Sequence, residues 1–267
     1  MYEYNNCSRE FAKKFEVETS CIYYLSVLSD EMVGKVWCDS IIEPSMLLIW
    51  SEYQAGFQFM GKPLMVNQYN DFKEFMSKTI KPFLESREIE EFEYATDTEE
   101  LSEMICNIYS NNEISFSLQY EYELQCRKVV EINNIQFFIE RIDRDFFYNN
   151  YENSEYVKNE INISWGCYEK YLNKAYGYAA IYDNKIIGRA IIIGTYDDKD
   201  NITVDTLVDF RRKGIAISLV ENVLRETEIR GRNAIWDCTE DNIASQKTAE
   251  KLGFHVCRKY KVGYFKI

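Results

Sequence analysis

Asp205-Thr-Leu-Val-Asp-Phe-Arg-Arg-Lys-Gly-Ile-Ala216 is the stretch on which the reading of this chain turns, because a strand runs there into a helix. Upstream, Asn201-Ile-Thr-Val-Asp-Thr-Leu-Val208 alternates and is rich in β-branched residues, the pattern of a strand. Downstream, Ala216, Leu219, Val220, Val223 and Leu224 recur at helical spacing and predict a helix from near Arg212 to about Arg230. The turn between them carries Arg211, Arg212, Lys213 and Gly214. The first turn of a helix has backbone N–H groups without intrahelical acceptors, and the macrodipole adds partial positive charge there. A pyrophosphate is the natural guest of such a junction. Gly214 and the small Ala216 allow a close approach to the backbone.

Arg-x-x-Gly-x-Ala by itself is a weak pattern, and the elements after it add the weight. Asn233-Ala-Ile-Trp-Asp-Cys238 reads as a buried strand, and Asn242 to Leu252 as a helix closed by Gly253 and Phe254. In this order Arg211, Gly214, Ala216, Asn242, Ser245, Gly253 and Phe254 resemble the motifs of the GNAT superfamily of acyl-CoA-dependent N-acyltransferases. That resemblance covers about residues 134–267. The run Asp205 to Ala216, Trp236-Asp237-Cys238, Ala249-Glu-Lys-Leu-Gly-Phe254 and Gly34-Lys-Val-Trp37 are also similar to the GNAT subfamily that includes the zwittermicin A resistance acetyltransferases. This narrower likeness extends over the whole chain.

At 267 residues the chain is long enough for one large or two smaller domains. A hydrophobic content of 46% with 28% charged residues marks a folded, soluble protein. The net charge of −13 argues against nucleic-acid binding, which needs a basic face, and favours cationic partners such as amines. No apolar run approaches the ~20 residues of a membrane span, and the first residues do not read as a signal peptide, so a cytoplasmic protein without membrane contact is expected. The eight cysteines include no Cys-x-x-Cys, so no zinc or other metal site is expected, and the single histidine, His255, reads as structural.

Along the first half the pattern predicts one or two helices over 7–30, a strand at Lys35 to Cys38 and a hairpin over 46–60. A helix from Asp71 to Ser86, ended or kinked by Pro82, follows, then a strand at Phe92 to Tyr94, a helix over Thr98 to Tyr109 and a strand over Ile114 to Tyr122. No glycine-rich strand-to-helix turn occurs there. The pattern then begins again: a strand at Ile135 to Ile142, one or two helices over Ser154 to Leu172, a hairpin about Asp183-Asn184, the elements already described, and a last strand at Val256 to Phe265. The expected architecture is α/β (α+β): a smaller N-terminal α+β domain over 1–130, supplying acceptor specificity or homodimer contacts, and a GNAT domain over 131–267 with a mixed, mostly antiparallel sheet.

The resemblance implies transfer of an acetyl group from acetyl-CoA, as co-substrate, to a primary amine of a small molecule. It implies cofactor contacts from Thr206, Leu207, Val208, Arg211, Arg212, Lys213, Gly214, Ile215, Ala216, Asn242 and Ser245, with a backbone N–H near Thr206 stabilising the oxyanion. For the base that takes the ammonium proton, Asp237 and Asp205 are the candidates, Asp237 first, with Glu240 a more solvated third. The chain departs from the family at the general acid, where many members have tyrosine and this sequence has Ala249. An acyl-CoA-binding or regulatory protein without turnover is therefore the alternative. A Rossmann-type nucleotide module lacks its Gly-x-Gly-x-x-Gly here.

Overall fold

A computed structural model describes residues 1–128 and 137–267. The chain divides into two compact units, one of residues 1–118 with 260–267 and one of residues 119–259. The boundary expected at residue 130 falls outside the described residues, as do residues 135 and 136 of the expected strand.

The first unit begins with β1 (Tyr2–Glu3), α1 (Arg9–Phe15) and α2 (Ile22–Leu28), and continues with β2 (Gly34–Cys38), β3 (Met46–Ser51) and β4 (Gly56–Gly61). Then come α3 (Tyr69–Phe75), a π-helical turn at Met76–Ile80, α4 (Lys81–Glu85), β5 (Phe92–Thr96) and α5 (Glu99–Ile108). Strands β1 to β4 pair antiparallel in sequence order, and β4 pairs parallel with β5. Pro82 does not end the helix. It lies in the first turn of α4 and lacks an N–H, and the chain widens into a π turn before it and stays helical. The core is aromatic: Trp37, Trp50, Phe57, Phe59, Phe72, Phe92 and Tyr94 are buried together.

The second unit takes in most of β6 (Ser115–Leu124), then β7 (Phe138–Arg141), α6 (Ser154–Trp165), α7 (Tyr168–Lys174), β8 (Gly177–Tyr182), β9 (Lys185–Tyr196) and β10 (Lys199–Thr206). It goes on through α8 (Ile215–Ile229), β11 (Asn233–Thr239), α9 (Ile243–Leu252) and the start of β12 (Phe254–Phe265). Its strands run β6-β11-β10-β9-β8-β7, and among the described residues β10 and β11 are its one parallel pair of strands. The β8–β9 turn has both central residues left-handed, Asp183 at φ 48° and Asn184 at φ 60°, as a tight hairpin of this twist requires. Leu219, Val220, Val223 and Leu224 of α8 are fully buried, the helical stripe anticipated from the sequence.

Each half of the chain thus sends its closing strand into the other unit. Residues Gln119 to Glu123 of β6 pair with β11 in the second unit, and Gly263 to Phe265 of β12 pair with β5 in the first. No helix among the described residues is long and apolar enough to cross a membrane.

Candidate functional site

The parallel strands β10 and β11 pair only from Lys199↔Asn233 to Asn201↔Ile235, while β10 continues along β9 to Thr206. Beyond Asn201 the two parallel strands separate. Leu207 N–H donates to Ile187 O (2.9 Å), so by antiparallel alternation the N–H groups of Val204 and Thr206 point away from β9, toward the gap. Thr206 N–H donates there to its neighbour, Asp205 Oδ1, at 2.8 Å.

The chain does not pass straight from β10 into α8. A 3-10 turn at Val208–Phe210 intervenes, and Arg212 (φ 60°) and Gly214 (φ 80°) are left-handed, so the helix begins at Ile215 and not near Arg212. The left-handed backbone at Gly214 is the reason glycine stands there. The first intrahelical bond is Ser218 N–H to Gly214 O (3.0 Å), and no side chain caps the helix. The N–H groups of Ile215, Ala216 and Ile217 precede that bond and have no acceptor within the helix. At α9 the Asn242 side chain is the N-cap, accepting from Ser245 N–H (3.1 Å), and Ser245 Oγ accepts from Trp236 Nε1 (2.8 Å). Gly253 closes α9 at φ 99°, where a Cβ would lie 1.9 Å from Cys126 O.

These ends surround a cleft of about 1010 Å³. Asp205, Thr206, Arg211, Arg212, Lys213, Gly214, Ile215, Ala216, Asn242 and Ser245 line it, as do Trp236, Lys247 and Lys251, none of which the sequence had marked as a site residue. Leu207, Val208 and Asp237 are not among the lining residues. Arg211 folds back on the strand: its Nε donates to Thr206 O (3.0 Å), and its guanidinium lies 3.6 Å from Asp205 Oδ1. It braces the turn, leaving Arg212 and Lys213 to face the cleft.

The two carboxylates differ in setting. Trp236 and Cys238 of β11 face α9 through Ser245, so strand alternation turns Asp237 to the opposite face, where its cross-strand neighbour is Glu121. Asp205 lines the cleft, and its Oδ2 accepts from the Tyr156 hydroxyl at 2.8 Å. The Arg189 guanidinium stacks 3.9 Å from the centre of the Tyr156 ring and pairs with Glu160. Burial holds the Tyr156 hydroxyl well above the usual tyrosine range; Arg189 pulls the other way, and the bond to Asp205 adds to the rise. It therefore stays a donor at any working pH. Burial disfavours the Arg189 charge, but Glu160, Tyr156 and Asp205 outweigh it and keep the guanidinium charged. Tyr156 and Arg189 meet Asp205 only through folding, and no spacing in the sequence marks them. Ala249 is fully buried and does not line the cleft.

A mixed sheet parted between its two parallel strands, with an uncapped helix start at the parting, is the architecture of the GNAT fold. Residues 13–263 match the GNAT acetyltransferase family, and the chain belongs to that family. A curated relative, the "Uncharacterized N-acetyltransferase YdfB" of Bacillus subtilis (strain 168), is 24% identical over 127 residues, 47% of each chain. The match therefore spans about half the length of that relative. Among solved structures, a GCN5-related N-acetyltransferase-like protein from Streptococcus suis 89/1591 has a TM-score of 0.61 at 18% identity, over 87% of this chain and 88% of that one. A tandem GNAT protein from the clavulanic acid biosynthesis pathway, solved without AcCoA, has a TM-score of 0.54 at 10% identity, over 96% and 91%. Both likenesses concern the fold.

Proposed function

We propose that this chain transfers the acetyl group of acetyl-CoA to the primary amine of a small molecule, in the cleft of the 119–259 unit. The observation that carries the reading is the uncapped start of α8, facing a cleft beside Arg212 and Lys213. Unpaired N–H groups, helix dipole and cations together fit a pyrophosphate. Acetyl-CoA would supply an acyl group activated as a thioester.

In this reading the amides from Arg212 to Ala216 hold the pyrophosphate, and Asn242 and Ser245 keep the start of α9 in place beside it. The Val204 N–H faces the acyl arm as the oxyanion donor, and the Thr206 N–H beside it holds Asp205 Oδ1. An amine of pKa ~10.4 is protonated at neutral pH and must lose its proton before attacking. Asp205, the carboxylate that lines the cleft, takes that proton, and Tyr156 holds its Oδ2 in place. The nitrogen bonds to the carbonyl carbon, the C–S bond breaks, and sulfur departs as a thiolate, a tolerable leaving group at pKa ~8.5, which takes up the second proton that the nitrogen sheds as it becomes an amide. No tyrosine at the Ala249 position is then required. Residues 1–118 supply acceptor specificity or homodimer contacts and bind no CoA, and the enzyme works in the cytoplasm.

The test is to incubate the full chain with acetyl-CoA and a panel of primary amines and follow acetylated product by mass spectrometry, a readout insensitive to the chain's own free thiols. Acetylation of at least one amine above the uncatalysed rate is expected. CoA binding with no product from any amine identifies an acyl-CoA-binding protein instead.

A further inference from the structure

The cleft is basic in an acidic chain. Arg211, Arg212, Lys213, Lys247 and Lys251 line it against one carboxylate, Asp205, although the whole chain carries a net charge of −13. Arg211 is taken up by Thr206 and Asp205, and Arg212 and Lys213 belong to the turn before α8. Lys247 and Lys251 do not. They lie on α9 with Ala244 and Thr248, at the helical spacing that makes one face, and all four residues line the cleft. The two ammonium groups rise from points about 6 Å apart along the helix axis. Neither is paired with a carboxylate among the described residues.

Two like charges four residues apart on a helix repel by a few tenths of a kcal/mol. Lys251, in the last turn, has the macrodipole in its favour, but Lys247 has no such compensation. A doubly charged anion lying between them would relieve the repulsion. The start of α8 can neutralise one anionic group, the pyrophosphate, and CoA carries another: the phosphate monoester on the 3′ position of its ribose, at about −1.5 to −2 charges near neutral pH.

We infer that Lys247 and Lys251 form the subsite for the 3′-phosphate of CoA and make the cleft discriminate CoA from 3′-dephospho-CoA. The inference rests on the reading of the cleft as a CoA site. In it the turn at Arg212 to Ala216 serves any pyrophosphate ligand, and the α9 lysines select the nucleotide that bears a third phosphate.

Isothermal titration of the full chain with CoA and with 3′-dephospho-CoA tests it. The parent should bind CoA about tenfold or more tightly than dephospho-CoA, a difference of ~1.4 kcal/mol. In Lys247→Met/Lys251→Met the CoA affinity should fall to that for dephospho-CoA, with dephospho-CoA changed less than about twofold, while Lys247→Arg/Lys251→Arg keeps the preference. Equal affinity of the parent for both nucleotides overturns the inference, as does an equal loss of both in the Met variant, which would assign the lysines to the pyrophosphate. Should the Met variant not fold, loss of preference in the Arg variant or its absence in the parent still overturns it. Failure of the parent to bind either nucleotide overturns the CoA reading itself.

Discussion

The two units are built from the same succession of elements and end in opposite states at the same place. In the first, two helices (α1, α2) precede three antiparallel strands (β2, β3, β4), a helical crossover (α3 to α4), a parallel strand (β5) and a helix (α5). In the second, α6 and α7 precede β8, β9, β10, the crossover α8, the parallel strand β11 and α9. In the second unit the parallel strands part after Asn201↔Ile235 and the crossover begins at a glycine with bare N–H groups. In the first they are stitched at the equivalent point: Asp97 N–H donates to Phe59 O (3.2 Å), and the Asp97 carboxylate accepts from Gln58 and from Ser20 Oγ (2.7 Å). Thr19 Oγ1 donates to Asp97 O (2.8 Å). The connection from β4 to α3 contains Pro63 and no glycine after Gly61, and Gln68 Oε1 takes up the Met65 N–H (2.8 Å). The order of elements makes a parallel pair; a cleft needs the pair left open and the crossover left uncapped.

The largest expected effect breaks the open side. Gly214→Val places a β-branched residue at φ 80°, a strained backbone, and fills the approach to the α8 start. Acetyl-CoA should raise the melting temperature of the parent, by mass action, and leave that of the variant unmoved. A full shift in the variant would move the binding site elsewhere. Next comes the base. Asp205→Asn should lower turnover by about 10²-fold or more with CoA affinity nearly unchanged, and Asp237→Asn, away from the cleft, by less than about threefold. The reverse result would exchange their roles.

A third difference is in how the units are held. The first relies on aromatic packing, whereas the second pins α8 to the sheet with ions: Arg141 binds Glu226 through two bonds of 2.9 and 2.8 Å, and Arg230 and Tyr178 also donate to it. Burial acts to raise the Glu226 carboxyl, but these donors outweigh it and hold it at about 2. A folded pKa below the unfolded value of ~4.3 means the contribution is present above that value and is lost as the pH falls through about 2. Urea unfolding should therefore show the parent more stable than Glu226→Gln by roughly 2–3 kcal/mol at pH 6, the gap closing toward pH 2. A gap that persists at pH 2 would assign the effect to packing.

The stitched side is tested by Asp97→Ala, which leaves Gln58 and Ser20 without their acceptor and should cost about 1–3 kcal/mol of stability while CoA affinity stays as in the parent. Loss of CoA affinity in this variant would tie the two units together functionally. The smallest effect concerns Tyr156. Tyr156→Phe removes the donor that holds Asp205 Oδ2, so turnover should drop a few-fold while CoA affinity stays as in the parent. Turnover equal to that of the parent would make Tyr156 only a packing residue.

Features set by near neighbours were legible in the sequence. The Asp183-Asn184 hairpin, the Asn242 cap, the Gly253 stop and the buried stripe of α8 depend on residues within about one helical turn or one tight turn, where residue type dictates backbone geometry. So was the basic strand-to-helix turn, although its two left-handed residues delay the helix to Ile215. Alternation shows that Asp237 and Trp236 face opposite ways, but only pairing with β6 and packing of α9 decide that Trp236 has the cleft. In the same way, Tyr156 reaches Asp205 across 49 residues, and β6 and β12 close the units of the other half, because a strand accepts any partner whose register buries its apolar face. Residue order carries periodicity and turn chemistry. Which edge a strand joins, and which carboxylate the cleft receives, are settled by contacts between segments far apart in the chain.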